Sequence, residues 1–311
     1  MSSPRRARVR ALAKINLDLR VLGKRPDGFH ELRTVFQTIS LADSLEIAYT
    51  PARRTTIELE DALGIADNLV VRAARLAMEA MRATGRIEMR LTKRIPMGAG
   101  LGGGSSDAAA VLLALPALVG RGLGLPKLSA IGEQLGSDVP FFLLGGTAVG
   151  IGRGSELFPL PDARGQGILV APDVHVNTAQ AYRDLSPRLT TELQQNKIDS
   201  FQSVTWDTSC LASVRNDFET VVFEQHRELG RLRNRLVRGG ATVARMTGSG
   251  SALFGLFPDC NGISRAVELL GEVRTFPISL VGRARYRALW RRALKEHTTP
   301  GLWPLQSRYS G

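Results

Sequence analysis

A glycine-rich stretch followed by a long apolar segment constrains this sequence more than any other feature. Residues 95–111 read IPMGAGLGGGSSDAAAV, with five glycines between positions 98 and 104. Bare glycine backbone adopts unusual conformations and lets an anion approach its N–H groups closely. The residues that follow predict a helix running to about Val119, whose N-terminus favours negative charge. The stretch therefore predicts a phosphate-binding loop that opens a helix, and the alternative is a flexible loop before a buried helix.

The glycine pattern differs from the most familiar nucleotide-binding motifs. No Gly-Lys-Ser/Thr ends it, so it is not a Walker A loop. A partial GxGxxG runs from Gly98 to Gly103, but no acidic residue follows at the tip of the next strand, as a dinucleotide site requires. Ser105 and Ser106 follow the glycines, and we expect them to cap the helix and donate to phosphate.

The composition is that of a folded protein with about two domains. The chain has 311 residues, 43% of them hydrophobic, and it contains no apolar run long enough to cross a bilayer. No apolar signal core follows the arginines near the N-terminus, so we expect a cytoplasmic protein. Cys210 and Cys260 lie far apart without a metal-binding motif, which also indicates a reducing compartment.

The strong positive charge raises the question of nucleic acid. The net charge is +12, but the excess is spread along the chain and is dense only between Arg283 and Lys295. Aromatic and basic residues do not alternate as they do in RNA-binding strands. We therefore expect a small-molecule substrate and neither a nucleic-acid nor a membrane partner. A basic RNA-binding protein is the alternative from another class, and it predicts salt-sensitive RNA binding without ATP turnover.

Hydrophobic periodicity predicts strands and helices mixed in both halves of an α+β protein. The predicted strands are 13–21 (half-buried), 31–40, 44–49, 87–91, 145–151, 168–171, 242–246, 252–257 and 276–286. The predicted helices are 68–84, the segment to Val119, 127–135, 217–237 and 263–270, with a polar loop and short helix over 186–209. The polar segment from Arg153 to Gly167 predicts a junction between domains 1–158 and 159–311. In the basic tail 286–311, Leu289, Trp290 and Leu294 predict one apolar face of a helix. We expect this tail to dock on the body, and pairing of subunits or contact with an anionic surface are the alternatives.

Three further residues carry chemistry only in combination. Lys14 lies on the polar face of the first predicted strand, Asp138 precedes Val139-Pro140, and His30 follows a turn. Taken singly, they are most simply a solvated lysine, a turn or helix cap, and a turn histidine.

Several motifs together resemble a known superfamily. The segment PMGAGLGGGSSDAA at 96–109 is similar to the phosphate loop of the galactokinase–homoserine kinase–mevalonate kinase–phosphomevalonate kinase (GHMP) superfamily, and MTGSGSALFG at 246–255 resembles its third motif. Within it, AKINL at 13–17, RPDGFH at 25–30 and GSDVPFF at 136–142 resemble the 4-diphosphocytidyl-2-C-methyl-D-erythritol kinases of the non-mevalonate isoprenoid pathway. The resemblance runs from about residue 8 to residue 286.

The resemblance implies a fold and a reaction. The expected fold is a two-domain GHMP kinase, whose N-terminal β-α domain has a left-handed crossover and whose C-terminal domain is a ferredoxin-like α/β sandwich. The expected reaction uses ATP and Mg²⁺ to phosphorylate the 2-hydroxyl of the cytidine-diphosphate sugar alcohol. Asp138 is then the base and Lys14 its cationic neighbour. Another GHMP small-molecule kinase is the nearest alternative, and a monomer or weak homodimer is expected.

The resemblance also assigns a set of binding residues. Those expected at ATP are Pro96, Gly98, Gly100, Leu101, Gly102, Gly103, Gly104, Ser105, Ser106, Asn68 and Leu69, with Ser106 a candidate Mg²⁺ ligand. Those expected at the substrate are Asn16, Phe29, His30, Thr178, Tyr182, Gly248 and Gly250. The family often has tyrosine where Phe29 stands, which keeps stacking on cytosine but loses the hydroxyl. Tyr182 as a packing residue and Gly248 as part of a tight hairpin, instead of a phosphate nest, remain alternatives.

Overall fold

The computed structural model describes residues 3–62, 64–65, 67–189, 201, 214–299 and 301–309. Cys210 and most of the polar segment predicted at 186–209 lie outside these residues. The described strands are β1 (Arg5–Lys24), β2 (His30–Pro51), β3 (Thr56–Asp61), β4 (Gly85–Thr92), β5 (Thr147–Gly152), β6 (Glu156–Pro159), β7 (Gln166–Val170), β8 (Val243–Met246), β9 (Leu253–Phe257), β10 (Thr275–Ser279), β11 (Thr298–Thr299) and β12 (Gln306–Ser307). The described α-helices are α1 (Leu69–Met81), α2 (Gly103–Val119), α3 (Leu125–Leu135), α4 (Val139–Leu144), α5 (Thr178–Leu185), α6 (Glu219–Gln225), α7 (Arg227–Arg238), α8 (Cys260–Leu270) and α9 (Arg283–Ala293).

A six-stranded mixed sheet organises the first half of the chain. β1 and β2 form a long antiparallel hairpin, and β2 also pairs with β4 and β5. β3 and β4 are parallel and are connected through α1. Helices α1 to α4 pack on this sheet, and α2 is buried almost throughout because its residues are small and apolar. The predicted helix to Val119 is confirmed, and it ends where Gly120 adopts the left-handed conformation.

A four-stranded antiparallel sheet in the order β10-β7-β9-β8 organises the second half. Apolar residues of α5 to α8 cover one face of it, together with Leu19 and Val21 of β1. Other apolar residues of this sheet, such as Phe254 of β9, pack with Ile15 and Leu17 of β1. β1 therefore contributes to the cores on both sides of the junction between the halves.

The prediction that β1 is half-buried is wrong. Its polar residues Lys14, Asn16, Asp18 and Arg20 are all buried, at 4%, 3%, 0% and 0% exposure. The reason is tertiary: the glycine loop of residues 96–105 and segments of the second half cover this polar face. A polar stripe buried in this way marks the position of a site.

Two other predictions from periodicity are corrected. The strand predicted at 276–286 ends at Ser279, and helix α9 begins at Arg283, because Tyr286 and Trp290 are one helical turn apart and bury the same face. The helix predicted at 217–237 is broken at His226 into α6 and α7. The sequence analysis also missed the short elements β3, β6, α4, β11 and β12.

The basic tail docks on the body, as expected. Tyr286, Trp290, Leu294 and Leu305 belong to the core of the first half, so the chain returns there after completing the second sheet. β6 ends at Pro159 in the first sheet and β7 begins at Gln166 in the second. Among the described residues, no helix is both long and apolar enough to cross a membrane.

Candidate active site

The glycine loop has the backbone that its sequence predicts. Gly98, Gly100 and Gly102 have φ values of 65°, 76° and 67°, which disfavour residues with a side chain. Gly102 is the N-cap of α2 and makes no side-chain capping bond. The prediction that Ser105 and Ser106 cap this helix is therefore wrong. The buried Ser106 hydroxyl instead donates to the carbonyl of Leu12 at 2.7 Å, which ties the helix to β1.

A cavity of about 380 Å³ opens along this loop. The predicted ATP-side residues Asn68 and Leu69 line it together with Pro96, Gly98, Gly100, Leu101, Gly102, Gly103, Gly104 and Ser105. Asn68 also caps α1, because its side chain accepts from Val70 N at 3.0 Å and donates to Asp61 at 3.1 Å. The structure thus brings the two predicted segments, 68–69 and 96–105, to one cavity.

A second glycine loop, residues 247–251 between β8 and β9, packs directly on the first. A Cβ atom at Gly100 would lie 2.2 Å from the Thr247 carbonyl oxygen, so only glycine permits this approach. Gly248 N donates to Asn16 Oδ1 at 3.0 Å, and Gly250 N donates to Thr247 O at 3.1 Å. The N–H groups expected to form a phosphate nest therefore already have protein acceptors, and Gly248 contacts the first loop through packing.

Lys14 and Asp138, separated by more than one hundred residues, meet beside the first loop. Lys14 Nζ lies 3.3 Å from Asp138 Oδ2, with side-chain exposures of 5% and 30%. Lys14 N donates to Leu101 O at 3.0 Å, and a Cβ at Gly102 would lie 3.2 Å from Lys14 Cγ. Asp138 directly precedes α4, where Pro140 occupies the first turn. The pair is therefore held between the start of α2 and the start of α4.

Asn16 connects this pair to the second half of the chain. Its Oδ1 accepts from Lys14 Nζ at 2.8 Å and from Gly248 N at 3.0 Å, and its Nδ2 donates to Thr34 at 2.7 Å. Most of its hydrogen-bonding capacity is thus used inside the protein. Whether it also contacts the substrate stays a prediction.

A larger cavity of about 760 Å³ lies on the other side of Asp138. Four of the residues predicted to bind substrate line it with Asp138: Phe29, His30, Thr178 and Tyr182. Three cations, Lys24, Arg153 and Arg183, lie on the same walls and suit an anionic ligand. Thr178 also contacts the second glycine loop, because its Oγ1 is 2.7 Å from Ser249 Oγ.

The aromatic residues of this cavity are arranged in two groups. The His30 and Tyr182 rings stack at 4.4 Å between centroids, and Tyr182 also packs edge-on against Phe218. Burial lowers the pKa of His30 and raises the pKa of Tyr182 to about 12, so both rings favour their neutral forms. Phe29 is 49% exposed, and the Arg153 guanidinium lies 3.5 Å from its ring centroid. Tyr182 is therefore a packing residue, as the alternative predicted, and its ring also lines the cavity.

A buried charge cluster beside the glycine loop was missed by the sequence analysis. Lys93 Nζ hydrogen-bonds Asp43, and it donates to Asp107 at 2.6 Å. The pKa of Asp107 is raised to about 7, mainly because the carboxyl group is buried. The Asp43 carboxylate raises this pKa further, and the Lys93 ammonium lowers it. Lys93 and Asp107 line the cavity of the loop. The sequence signal available for this cluster was position, because Lys93 directly follows β4 and Asp107 directly follows the two serines.

Comparison with known proteins agrees with this geometry. The family models described as GHMP kinases N terminal domain and GHMP kinases C terminal match residues 68–146 and 207–270. The curated 4-diphosphocytidyl-2-C-methyl-D-erythritol kinase of Solibacter usitatus (strain Ellin6076) is 76% identical, over 100% of both chains. The chain belongs to this kinase family. The enzyme of the same name from Gloeobacter violaceus is 40% identical, over 81% of this chain and 86% of that one.

Solved structures show the same family and the wider fold. A crystal structure of 4-(cytidine 5'-diphospho)-2C-methyl-D-erythritol kinase has a TM-score of 0.75 and 37% identity, covering 88% of this chain and 99% of that one. Homoserine kinase from Cytophaga hutchinsonii has a TM-score of 0.69 at 18% identity, covering 91% and 97%, and shows the fold alone. The predicted GHMP kinase fold is confirmed, and the chain is an ATP-using kinase.

Proposed function

We propose that this kinase transfers the γ-phosphoryl group of ATP to the 2-hydroxyl of 4-diphosphocytidyl-2-C-methyl-D-erythritol, giving the 2-phosphate and ADP. One observation carries the proposal. The Lys14–Asp138 pair, joined at 3.3 Å, lies against Gly102 of the glycine loop, and Asp138 also lines the cavity of Phe29, His30 and Tyr182. A terminal phosphate on the loop and an alcohol in the cavity would meet at this carboxylate.

The loop side of the site suits a phosphate chain. Backbone N–H groups and the positive end of α2 converge where the glycines leave the main chain open. Residues 96–105 would hold the phosphates, and Asn68 and Leu69 would line the adenine end of the cavity. On this side of the site, the protein would contribute to catalysis by positioning the phosphates and stabilising their negative charge.

The acceptor side requires a base. The 2-hydroxyl belongs to a tertiary alcohol, and its proton must leave as the new bond to phosphorus forms and the bond to ADP breaks. Asp138 accepts that proton. The Lys14 ammonium stabilises the negative charge that develops on the transferred group, and its burial strengthens this effect.

The far end of the larger cavity suits a cytidine diphosphate. Phe29 and Tyr182 offer ring faces to the base, His30 offers a neutral imidazole for its edge, and Thr178 lies near the sugar alcohol. Lys24, Arg153 and Arg183 would face the diphosphate. Gly248 acts through its contact with Gly100, and Gly250 shapes the loop that carries it.

Mg²⁺ is expected to enter with ATP. Among the described residues, no group of three His, Cys, Asp or Glu side chains is placed to hold a metal ion. Mg²⁺ commonly keeps waters and substrate phosphates as most of its ligands, which fits such a site. Ser106 is buried, donates its hydroxyl hydrogen to Leu12 O and does not line the cavity of the loop, so the structure gives no support to the predicted contact between Ser106 and Mg²⁺. When bound, the ion would neutralise charge between the β- and γ-phosphates.

Three broader expectations accompany this function. We propose a cytoplasmic enzyme that acts as a monomer or weak homodimer, without a nucleic-acid or membrane partner. The division into domains 1–158 and 159–311 also stays a prediction. The change of sheet between Pro159 and Gln166 supports it, although the tail packs with the first half.

The experiment is ADP release, coupled to a spectrophotometric assay, with 4-diphosphocytidyl-2-C-methyl-D-erythritol and with mevalonate and homoserine as competing alcohols. We expect turnover with the cytidine-diphosphate alcohol and a kcat/KM at least about a hundredfold lower with the others, because they lack the groups that the larger cavity binds. Comparable kcat/KM values across the panel would favour another GHMP activity. RNA binding without ADP release would overturn the assignment altogether.

A further inference from the structure

Helix α4, which carries Asp138 at its N-terminal end, is too short to hold itself rigidly. It spans only six residues, Val139–Leu144. The last four carbonyl groups of any helix lack partners within the helix, and here they make up most of the element. Its buried residues pack against α2 and α3, and the position of the Asp138 backbone depends on this packing together with what contacts the other end of α4.

Three side chains from the C-terminal tail donate to that end. Tyr286 Oη donates to Phe142 O at 2.5 Å, and Trp303 Nε1 donates to Leu143 O at 3.0 Å. Arg283 Nε donates to Gly145 O, the residue that ends the helix, at 3.2 Å. These three carbonyl groups thus receive hydrogen bonds from residues about 140–160 positions away.

The backbone after α4 is shaped for this contact. Gly145 has a φ of 66°, and a Cβ there would lie 2.2 Å from Tyr286 Cδ1. A Cβ at Gly146 would lie 2.7 Å from Arg283 Cβ. Tyr286 is 1% exposed and meets the Trp303 ring edge-on, with centroids 6.5 Å apart. The tail is therefore fitted closely to the end of α4.

We propose that the C-terminal segment formed by residues 283–299 and 301–309, which is the described part of the basic tail with the first three residues of α9, positions the carboxylate of Asp138 for proton transfer by capping the C-terminal end of α4. Tyr286 and Trp303 are the principal positioning residues. The inference rests on the proposed role of Asp138 as base. A displacement of about 1 Å at a reacting group can cost about a hundredfold in rate, so a brace on this short helix acts on kcat. The tail lies outside the two segments that the family models match, 68–146 and 207–270.

The test replaces one donor and keeps its ring. Trp303→Phe removes the Nε1–H and retains an aromatic side chain. We expect kcat to fall about five- to twentyfold, while KM for ATP and for the alcohol stays within about twofold. Tyr286→Phe removes the second donor with almost no change in shape. It should likewise lower kcat and leave both KM values unchanged, and it provides the test if Trp303→Phe does not fold.

Ser307→Ala is the matched control. It lies in the same tail, and its buried hydroxyl donates to Ala117 O at 2.7 Å, in α2 and not in α4. We expect a comparable loss of Tm but a kcat within about twofold of the wild type. Equal kcat losses in Trp303→Phe and Ser307→Ala, or unchanged kcat in both Trp303→Phe and Tyr286→Phe, would overturn the proposal.

A double variant separates this inference from the proposed function. In an Asp138→Asn background, Trp303→Phe should lower the residual kcat no further, because the group that it positions is already gone. A full additional loss would show that Trp303 acts elsewhere. If Asp138→Asn itself turns over normally, the proposed base is wrong whatever the tail does. Wild-type activity on the alcohol panel tests the substrate separately.

Discussion

Residues of this site are buried although their positions in the sequence predict exposure to solvent. Lys14 alternates with apolar neighbours as a solvated strand residue does, yet it is 4% exposed and contacts Asp138 and Asn16. Only the family resemblance identified the pair, because no local pattern relates residues so far apart in the chain. Arg153 and Lys93 carried no such motif and emerged only from three-dimensional contacts.

Phe29→Ala tests recognition of the cytidine end. Removing a ring that stacks on a base costs about 1–3 kcal/mol, so we expect KM for the cytidine substrate to rise about tenfold or more while KM for ATP changes little. Phe158→Ala is the control, because Phe158 is similarly exposed, at 54%, and lies in β6 outside the cavity. Steady-state kinetics with each substrate varied will measure both. Equal changes in the two KM values would argue against stacking.

Asp107→Asn tests the buried charge cluster through pH. The pKa of Asp107 is raised to about 7, so the folded protein holds this proton more tightly than the unfolded chain. The stability from this group is full below its unfolded pKa and is lost as pH rises through about 7. Between about pH 5 and pH 8, Tm of the wild type should therefore fall more steeply than Tm of the variant. Parallel curves in thermal unfolding would refute this assignment.

At the scale of elements, long periodic segments were predictable and short or covered ones were not. Helix α1 follows its apolar stripe, and α2 follows its small-residue run. The first turn of α9, residues 283–286, was included in the preceding strand, and α4 is too short to show a period. The glycine loop and the helix that it opens were predictable, but the contact of this loop with the loop at 247–251 required tertiary structure.

Gly100→Ala tests that contact between loops. The new Cβ would meet the Thr247 carbonyl at 2.2 Å, and φ is 76°, so we expect a loss of about 2 kcal/mol or more in the free energy of unfolding. Gly104→Ala is the matched change within the same loop. Gly104 lies in the first turn of α2, where alanine is favoured, and its new Cβ would contact only Leu69, at 3.6 Å. The free energy of unfolding should therefore stay the same or rise. Chemical denaturation of the ligand-free proteins will show whether both variants behave alike, which would contradict this account.

At the scale of the molecule, β1 joins the two halves. Leu19 bridges Asn216, and the buried Asp18 accepts from Arg20 at 2.8 Å and from Arg215 N at 2.9 Å. Burial raises the pKa of Asp18 in spite of the Arg20 guanidinium. The sequence shows the polar residues of β1 at alternating positions. Periodicity could not predict the contact between Asp18 and Arg215, because the two residues lie about two hundred positions apart.

Asp18→Ala should weaken this junction strongly. Removing one partner of a buried ion pair costs about 3–5 kcal/mol, since the remaining charge loses its compensation. Glu60→Gln breaks the exposed pair with Arg90 and should cost less than about 1 kcal/mol. Urea unfolding of both variants provides the comparison. Similar losses would mean that Asp18 does not support the junction.

The most direct test of the central claim, that Asp138 is the base beside a phosphate held on the glycine loop, is Asp138→Asn. The measurement pairs kcat from coupled ADP release with the Kd of ATP from calorimetry. We predict a fall in kcat of about a hundredfold or more, with the Kd of ATP within about twofold, because Asp138 lines the larger cavity and the variant leaves the glycine loop unchanged. A kcat near that of the wild type would contradict the account.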